Sequence, residues 1–381
     1  MRIGIDLSFL CEKKVGVDFY TFNILKHIAK LDTKNEYILY SCRRIPEEFV
    51  RLSEINRNFV FKPSPNRSGF RLFWTRFILP GILKRDGIDV FHAPCFWGPA
   101  RCPCPMVITF FDMTSWLLPR LFTLKHRLFY AGVVPSLAGK ASHLIAISEN
   151  SARDMVKIFG IPRERIDVVY GAAEDIFKPV KDRTLVDKIK MKYNISSDYI
   201  LYVGILEPRK NLPLLIRAFN WMVKDKNAKH RLVIAGRKGW GWKDIFRLVR
   251  KKGLEDKVVF TDYVEEKDLV PLYNGASVFV YPSLYEGFGL PPLEAMACGV
   301  PVVVSDSSSL PEVAGDAALL VKPEDERGIA EAILKVLKDG ALRENLGRKG
   351  IEQAKKFSWE KSARQTIAVY EKAYEGGTVK R

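Results

Sequence analysis

The chain has 381 residues, 47% of them hydrophobic, which is enough for two domains that each bury a core. Its apolar runs are broken by Pro, Gly or charge within about ten residues, short of the roughly 20 that span a bilayer, so no crossing helix is expected. Sixty-one basic against 44 acidic residues give a formal charge of +17, which favours phosphorylated substrates, an anionic lipid surface or nucleic acid without choosing among them.

Met1-Arg2 leads directly into an alternating strand pattern with no signal region, so the cytoplasm is the expected compartment. Short apolar runs then alternate with segments of helical period, the pattern of βα units around parallel sheets, and the series runs twice. The first places strands at 2–7, 37–41, 89–92, 107–110, 144–147 and 167–170; the second at 199–203, 232–235, 258–261, 278–281, 301–305 and 318–321. Between them, residues 171–197 carry Pro179, a charged run and no strand pattern, and read as the connection. From residue 325 the chain reads as helical, with Ser358 placed to cap a last helix. The expected fold is therefore α/β, with two doubly wound parallel-sheet domains and a cleft between them. Of the charge, 25 basic against 15 acidic residues fall in 1–172, leaving +10 there and +7 on the rest.

Six cysteines, at 11, 42, 95, 102, 104 and 298, include Cys102-Pro-Cys104 but no second pair at zinc spacing, and are read as reduced thiols. The five histidines are too dispersed for a metal set; only His92, at a strand end, is placed near the cleft, as a ligand or as an ordinary residue.

The most informative stretch runs from Tyr281 to Gly299 between two buried strands. Gly287 and Gly289 let backbone N–H groups approach a ligand, and Pro291 and Pro292 suit a helix start, which is an anion site. Glu294 is expected in the first helical turn, where a carboxylate is favoured and can accept hydrogen bonds from ribose hydroxyls; Glu286 lies on the loop. The alternative is a helix-capping loop with two solvated carboxylates. A second piece, Gly204-Ile-Leu-Glu207-Pro208-Arg209-Lys210-Asn211, follows the first strand of the second half; Arg209 and Lys210 can neutralise a leaving diphosphate or form a solvated surface.

The segment Glu286 to Glu294, the Glu-Pro-Arg-Lys-Asn run and Phe357-Ser-Trp359 together resemble glycosyltransferase family 4, and the likeness covers nearly the whole chain. Arg2-Ile-Gly-Ile-Asp6, Val15-Gly16-Val17, His92-Ala-Pro94, Ile147-Ser148-Glu149 and 167–171 resemble landmarks of that family's first domain. The resemblance implies the GT-B arrangement of two Rossmann-like domains: an acceptor domain at 1–175, a nucleotide-sugar domain at 176–357, and a segment 358–381 crossing back onto the first. It implies a retaining hexosyltransferase, mannose from GDP-mannose first, acting on a saccharide or lipid-linked saccharide in polysaccharide or glycolipid assembly. Alternatives are a UDP- or dTDP-sugar transferase and a nucleotide-sugar epimerase.

By the same resemblance Glu286 contacts the transferred sugar, and Arg209 and Lys210 bind the diphosphate. Main chain of Phe288, Gly289 and Leu290, with Gly287, holds sugar hydroxyls or phosphate. Glu294 holds the ribose, main chain near Val264 meets the base, and Gly16 and Gly204 complete the donor set. No metal or other cofactor is expected. Three departures stand out. Phe111 occupies the place of a usual His before Asp112, so either Asp112 takes the polar role on the acceptor side or it caps a helix. Asp18 replaces a glycine in the Gly16 loop, which suits acceptor hydroxyls better than phosphate. Ile205 stands where many members carry Arg, and Arg209 can substitute.

Residues 66–77 and 115–130 interleave aromatic and basic side chains. Such stretches suit an anionic lipid surface or a lipid diphosphate acceptor, which would place the chain peripherally on the inner face of the cytoplasmic membrane. They equally suit core helices whose aromatics pack inward. A nucleic-acid partner is not expected, because no helix-turn-helix, zinc-finger or RNA-binding signature accompanies the charge.

Overall fold

The computed structural model of the protein describes residues 1–10, 16–63 and 71–378. Val15, Cys11 and Asn66 to Phe70, named above, lie outside the described residues. The chain forms two compact units, Met1–Gly171 with Ser358–Arg381, and Ala172–Phe357.

The first unit carries seven strands: β1 (Arg2–Asp6), β2 (Glu36–Ser41), β3 (Phe59–Pro63), β4 (Val90–Ala93), β5 (Met106–Phe110), β6 (His143–Ala146) and β7 (Ile166–Val168). All pair in parallel, in the order β3-β2-β1-β4-β5-β6-β7. The central strands β4 and β5 are buried at every position, as strands covered by helices on both faces must be. The sequence reading has no counterpart of β3. This strand is an edge strand ending at a proline, and proline in an apolar run argues against a central strand while being tolerated at an edge.

The second unit carries β8 (Tyr199–Val203), β9 (Arg231–Ala235), β10 (Val258–Asp262), β11 (Val278–Tyr281), β12 (Val302–Ser305) and β13 (Ala318–Val321), parallel in the order β10-β9-β8-β11-β12-β13. In both sheets the order reverses at the first strand, between β1 and β4 and between β8 and β11. Doubly wound sheets bind ligands beyond the carboxyl ends of their strands at such a switch point.

The last helix, Trp359–Thr378, belongs to the first unit and packs on the helix Gly16–Leu31, where the Trp359 ring meets Phe19 and Tyr20 edge-on at centroid distances of 6.1 and 5.5 Å. Tyr370 and Thr109 take the two ring nitrogens of His92, each at 2.8 Å. His92 is buried, and burial holds its pKa down at about 3. It is a neutral core residue, the ordinary of the two readings left open for it.

Candidate active site

Two loops meet at the switch point of the second unit. The loop after β8 begins at Gly204, where the neighbouring Gly236 presses so close that a Cβ on it would stand 2.0 Å from the Gly204 carbonyl oxygen. No side chain can replace that hydrogen, so the crossing of the two loop starts is fixed by glycine. The chain then forms a single 3-10 turn, Pro208–Lys210, and leaves it through Asn211 in the left-handed region at φ +59°. The Asn211 amide donates to the carbonyls of Pro282 (3.1 Å) and Pro323 (2.6 Å), and the Leu284 N–H donates to the Arg209 carbonyl at 2.8 Å. The loop after β8 and the loop after β11 are thereby one framework.

That framework brings Arg209, Lys210 and Glu286 into direct contact. Arg209 Nη1 donates to Glu286 Oε2 at 2.8 Å, and Lys210 Nζ donates to Glu286 Oε1 at 2.6 Å and to the Tyr281 hydroxyl at 2.7 Å. On its other side Arg209 Nε lies 2.5 Å from Glu207 Oε1. Lys210 and Glu286 are each only 6% exposed. Burial works against the Glu286 charge, but Arg209 and Lys210 outweigh it and hold its pKa down to about 2. Burial and the Arg209 charge lower that of Lys210. The sequence reading treated the two cations as a second piece beside the glutamate loop; the structure joins all three. Arg209, with 22% of its side chain exposed, is the cation a ligand can reach.

Beyond Glu286 the backbone turns through Gly287 and Phe288 into the helix Leu290–Ala297. Gly289, its N-cap, sits at φ +115°, and a Cβ there would stand 2.8 Å from Leu310 Cδ2. Pro291 and Pro292 have no N–H, so Leu290 supplies the one amide hydrogen of the first three helical positions. The turn is pinned from a direction the sequence reading missed. Ser309 Oγ donates to the carbonyls of Glu286 (3.0 Å) and Phe288 (2.7 Å), and the Glu286 N–H donates to Ser308 Oγ at 2.8 Å. Ser309 is fully buried. The signal was present as three consecutive serines just after β12, where a hydroxyl can satisfy loop carbonyls.

Glu294 departs from expectation. The helix already begins at Leu290, so Glu294 is its fifth residue and lies past the first turn, where the dipole is strongest. Its carboxylate accepts from the Tyr273 hydroxyl at 2.8 Å, and burial pushes its pKa up to about 7 despite that bond. Tyr273 lies in the last turn of the helix Glu266–Asn274, whose approach holds Val264, buried at the loop after β10. Glu294 and the Val264 loop thus address the same helix.

Gly16 and Asp112 lie in the first unit. Gly16 opens the helix Gly16–Leu31, with open space where a Cβ would point. Asp112 follows β5 and accepts the Thr114 N–H at 2.9 Å, so its side chain shapes the turn into the helix Thr114–Leu117. Phe111 is buried, edge-on to Tyr20 at 5.2 Å and to Phe96 at 6.2 Å.

Residues 15–174 match the family model described as Glycosyltransferase Family 4, and residues 186–353 match that of Glycosyl transferases group 1. The O-antigen chain mannosyltransferase B of Escherichia coli is 35% identical over 75% of this chain and 75% of its own length. Among solved structures, sucrose-phosphate synthase from Thermosynechococcus elongatus matches with a TM-score of 0.77 at 19% identity, over 98% of this chain and 99% of that one. Anabaena Alr3699/HepE in complex with UDP and glucose matches with a TM-score of 0.76 at 18% identity, over 97% and 99%. At such identities the structures speak to the fold, while the family models and the bacterial relative speak to descent: the chain belongs to the family 4 glycosyltransferases, enzymes built on the two parallel sheets of the GT-B fold.

Proposed function

We propose that this glycosyltransferase moves mannose from guanosine diphosphate to a saccharide or lipid-linked saccharide in polysaccharide assembly, with retained anomeric configuration and no metal. The sugar and the setting are supported by the Escherichia coli relative, a mannosyltransferase of an O-antigen chain. The observation that carries the reading is the buried Glu286–Arg209–Lys210 cluster beside the start of the helix Leu290–Ala297.

In this reading the diphosphate takes Arg209 as its partner, with Lys210 behind it and the amides of Phe288, Gly289 and Leu290 at the helix start. These groups replace the charge a metal ion supplies elsewhere, and Gly204 is assigned to the donor set as backbone alone. Glu286, with a pKa near 2, stays ionised at neutral pH; it can accept sugar hydroxyls and oppose developing positive charge on the sugar, but it is not a general acid. Glu294 accepts the ribose hydroxyls and main chain at Val264 meets the base. Gly16 and Asp112 are assigned to the ligands of the first unit, Asp112 to the acceptor. The enzyme works from the cytoplasmic side, peripheral to an anionic membrane that presents the acceptor.

Calorimetry with GDP, UDP and dTDP tests the base: a ligand at about 100 times its dissociation constant raises stability by roughly 2.7 kcal/mol. GDP should give the largest shift, and a larger shift with UDP or dTDP overturns the guanosine assignment. NMR of the product from GDP-mannose reads the anomeric outcome, and activity in excess chelator reads the metal. Conversion of the donor sugar without transfer would replace the proposal with an epimerase.

A further inference from the structure

Cys102 and Cys104 differ from the other described cysteines in having each other. Their Sγ atoms lie 3.8 Å apart, within reach of an S–H···S contact. Only Pro103 separates them in the chain, and each cysteine is itself followed by a proline, which keeps both out of helical backbone. The two sulfurs therefore meet through a few local torsions, with no long loop to close. The pair sits in the connection 94–105, just before β5 begins at Met106. Ligands of a doubly wound sheet bind beyond the opposite, carboxyl ends of the strands, so neither thiol belongs to the sites described above.

Burial divides their roles. Cys104 is buried, Cys102 is partly exposed, and Pro103 between them is exposed. A cavity of about 260 Å³ lined by Pro103 and Pro105 opens at this loop, several times the roughly 30 Å³ that a water occupies, so a small oxidant can enter. The side-chain hydrogen bond from Cys104 lowers the pKa of Cys102 against the opposing effect of burial, and the thiolate is the form that reacts. Cys95 and Cys298 are the contrast, since burial pushes each of them up to about 12 and keeps them protonated. Cys42 is buried as well. A partly exposed, acidified thiol with a second sulfur in reach is the arrangement that allows oxidation to be caught at the first step and reversed.

We propose that Cys102 and Cys104 form a reversible peroxide-modification site, with Cys102 the attacking sulfur and Cys104 the resolving one. The Cys102 thiolate attacks one oxygen of hydrogen peroxide, the O–O bond breaks, and the departing hydroxide takes a proton and leaves as water. Cys102 is then a sulfenic acid. Cys104 Sγ attacks that sulfur, the S–O bond breaks, a second water leaves with the Cys104 proton, and a disulfide closes across Pro103. Two molecules of a thiol such as glutathione return both cysteines to thiols and end as the glutathione disulfide. So small a ring is strained, and strained disulfides are the readily reduced ones, which keeps the resting pair as thiols. None of this depends on the sugar chemistry.

The full chain treated with hydrogen peroxide, then with iodoacetamide, and read by mass spectrometry of the peptide carrying both cysteines tests the site. That peptide should lose two hydrogens and take no label, and reduced glutathione should restore labelling at both positions. In Cys104→Ser the reaction should stop at a sulfenic acid on Cys102 that dimedone traps. In Cys102→Ser oxidation at Cys104 should slow by about tenfold or more, because the remaining thiol is buried and no longer the acidified one. Both variants, untreated, should match the wild type in melting temperature and in transfer activity, so a loss of reactivity is not a loss of fold. Full labelling of both cysteines after peroxide overturns the proposal, as does a bridge from either of them to Cys11, Cys42 or a second chain. Oxidation of Cys104 at the wild-type rate without Cys102 overturns the assignment of the attacking sulfur, and label that glutathione fails to restore overturns reversibility.

Discussion

The two units share one topology and spend its switch point differently. At the end of β8 and β11 the second unit gathers four charged side chains, a left-handed asparagine and two serines into a framework where nearly every group is fixed by another loop. In the first unit, one strand past the switch point, the end of β5 carries Phe111 against Tyr20 and Phe96, with Asp112 accepting from its own turn. A parallel sheet supplies the place for a ligand but not its chemistry; that comes from the loops.

The contrast breaks most sharply at Glu286. Glu286→Gln keeps the shape but leaves Lys210 without its carboxylate and Arg209 with Glu207 alone. Turnover should fall about 10²- to 10³-fold, the scale of losing one group that meets developing charge. The variant should also be less stable by about 3–5 kcal/mol, because a buried cation loses its partner. Urea denaturation and transfer kinetics on the same samples read both, and near-wild-type turnover would remove Glu286 from the chemistry. The depressed pKa gives a pH corollary. A carboxylate held below its unfolded value stabilises the fold above about 4.5, and that contribution is lost as pH falls toward 2, so the wild type should lose stability in acid more steeply than the variant.

Glu294 sharpens the comparison within the second unit, since its shift has the opposite sign. With a folded pKa raised to about 7 from 4.5, the folded chain binds the proton more tightly, so stability is greatest below about pH 4.5 and falls as pH rises through 7. Glu294→Gln should flatten melting temperature against pH between 5 and 8, removing a slope of at most about 1.4 kcal/mol per unit. Donor affinity should drop on the order of tenfold at pH 8 and less at pH 6, because only the ionised form accepts two ribose hydroxyls. Titration calorimetry at both values checks this; equal loss at both would detach the ribose from this carboxylate.

Ser309 tests whether the framework matters beyond its charges. Ser309→Ala frees the carbonyls of Glu286 and Phe288, and each buried hydrogen bond is worth about 1 kcal/mol. The fold should survive, with kcat/KM down about tenfold, mostly through the donor KM. A change confined to stability would make Ser309 a purely structural residue.

The two-sheet α/β fold was legible because buried parallel strands are short continuous apolar runs that stand out between helices; only β3, short, at an edge and closed by a proline, escaped. The loop running into the helix Leu290–Ala297 was legible as well, since Gly and Pro mark it. What sequence spacing cannot carry is which groups share a proton or a charge. Arg209 and Glu286 are 77 positions apart and meet only because β8 and β11 are neighbours in the sheet. Glu294 moved out of the first turn because Leu290 is already helical, and burial, which spacing does not report, raises its pKa. His92 stayed open between two readings for the same kind of reason: a strand end looks alike in sequence whether it opens to solvent or lies under a helix arriving from 278 residues away.

Phe111 gives the smallest expected effect. Restoring the histidine that relatives are expected to carry would put an imidazole between Tyr20 and Phe96 in a buried aromatic corner. Nothing in that corner resembles the pair of hydrogen bonds that His92 enjoys, and an imidazole buried among rings costs about 1–3 kcal/mol when unpaired. Phe111→His should therefore lower the melting temperature by a few degrees and change kcat by less than about twofold. A large gain in turnover from this single change would mean that the first unit holds an acceptor hydroxyl within reach of position 111, and that the division of chemistry between the two units is less one-sided than the loops suggest.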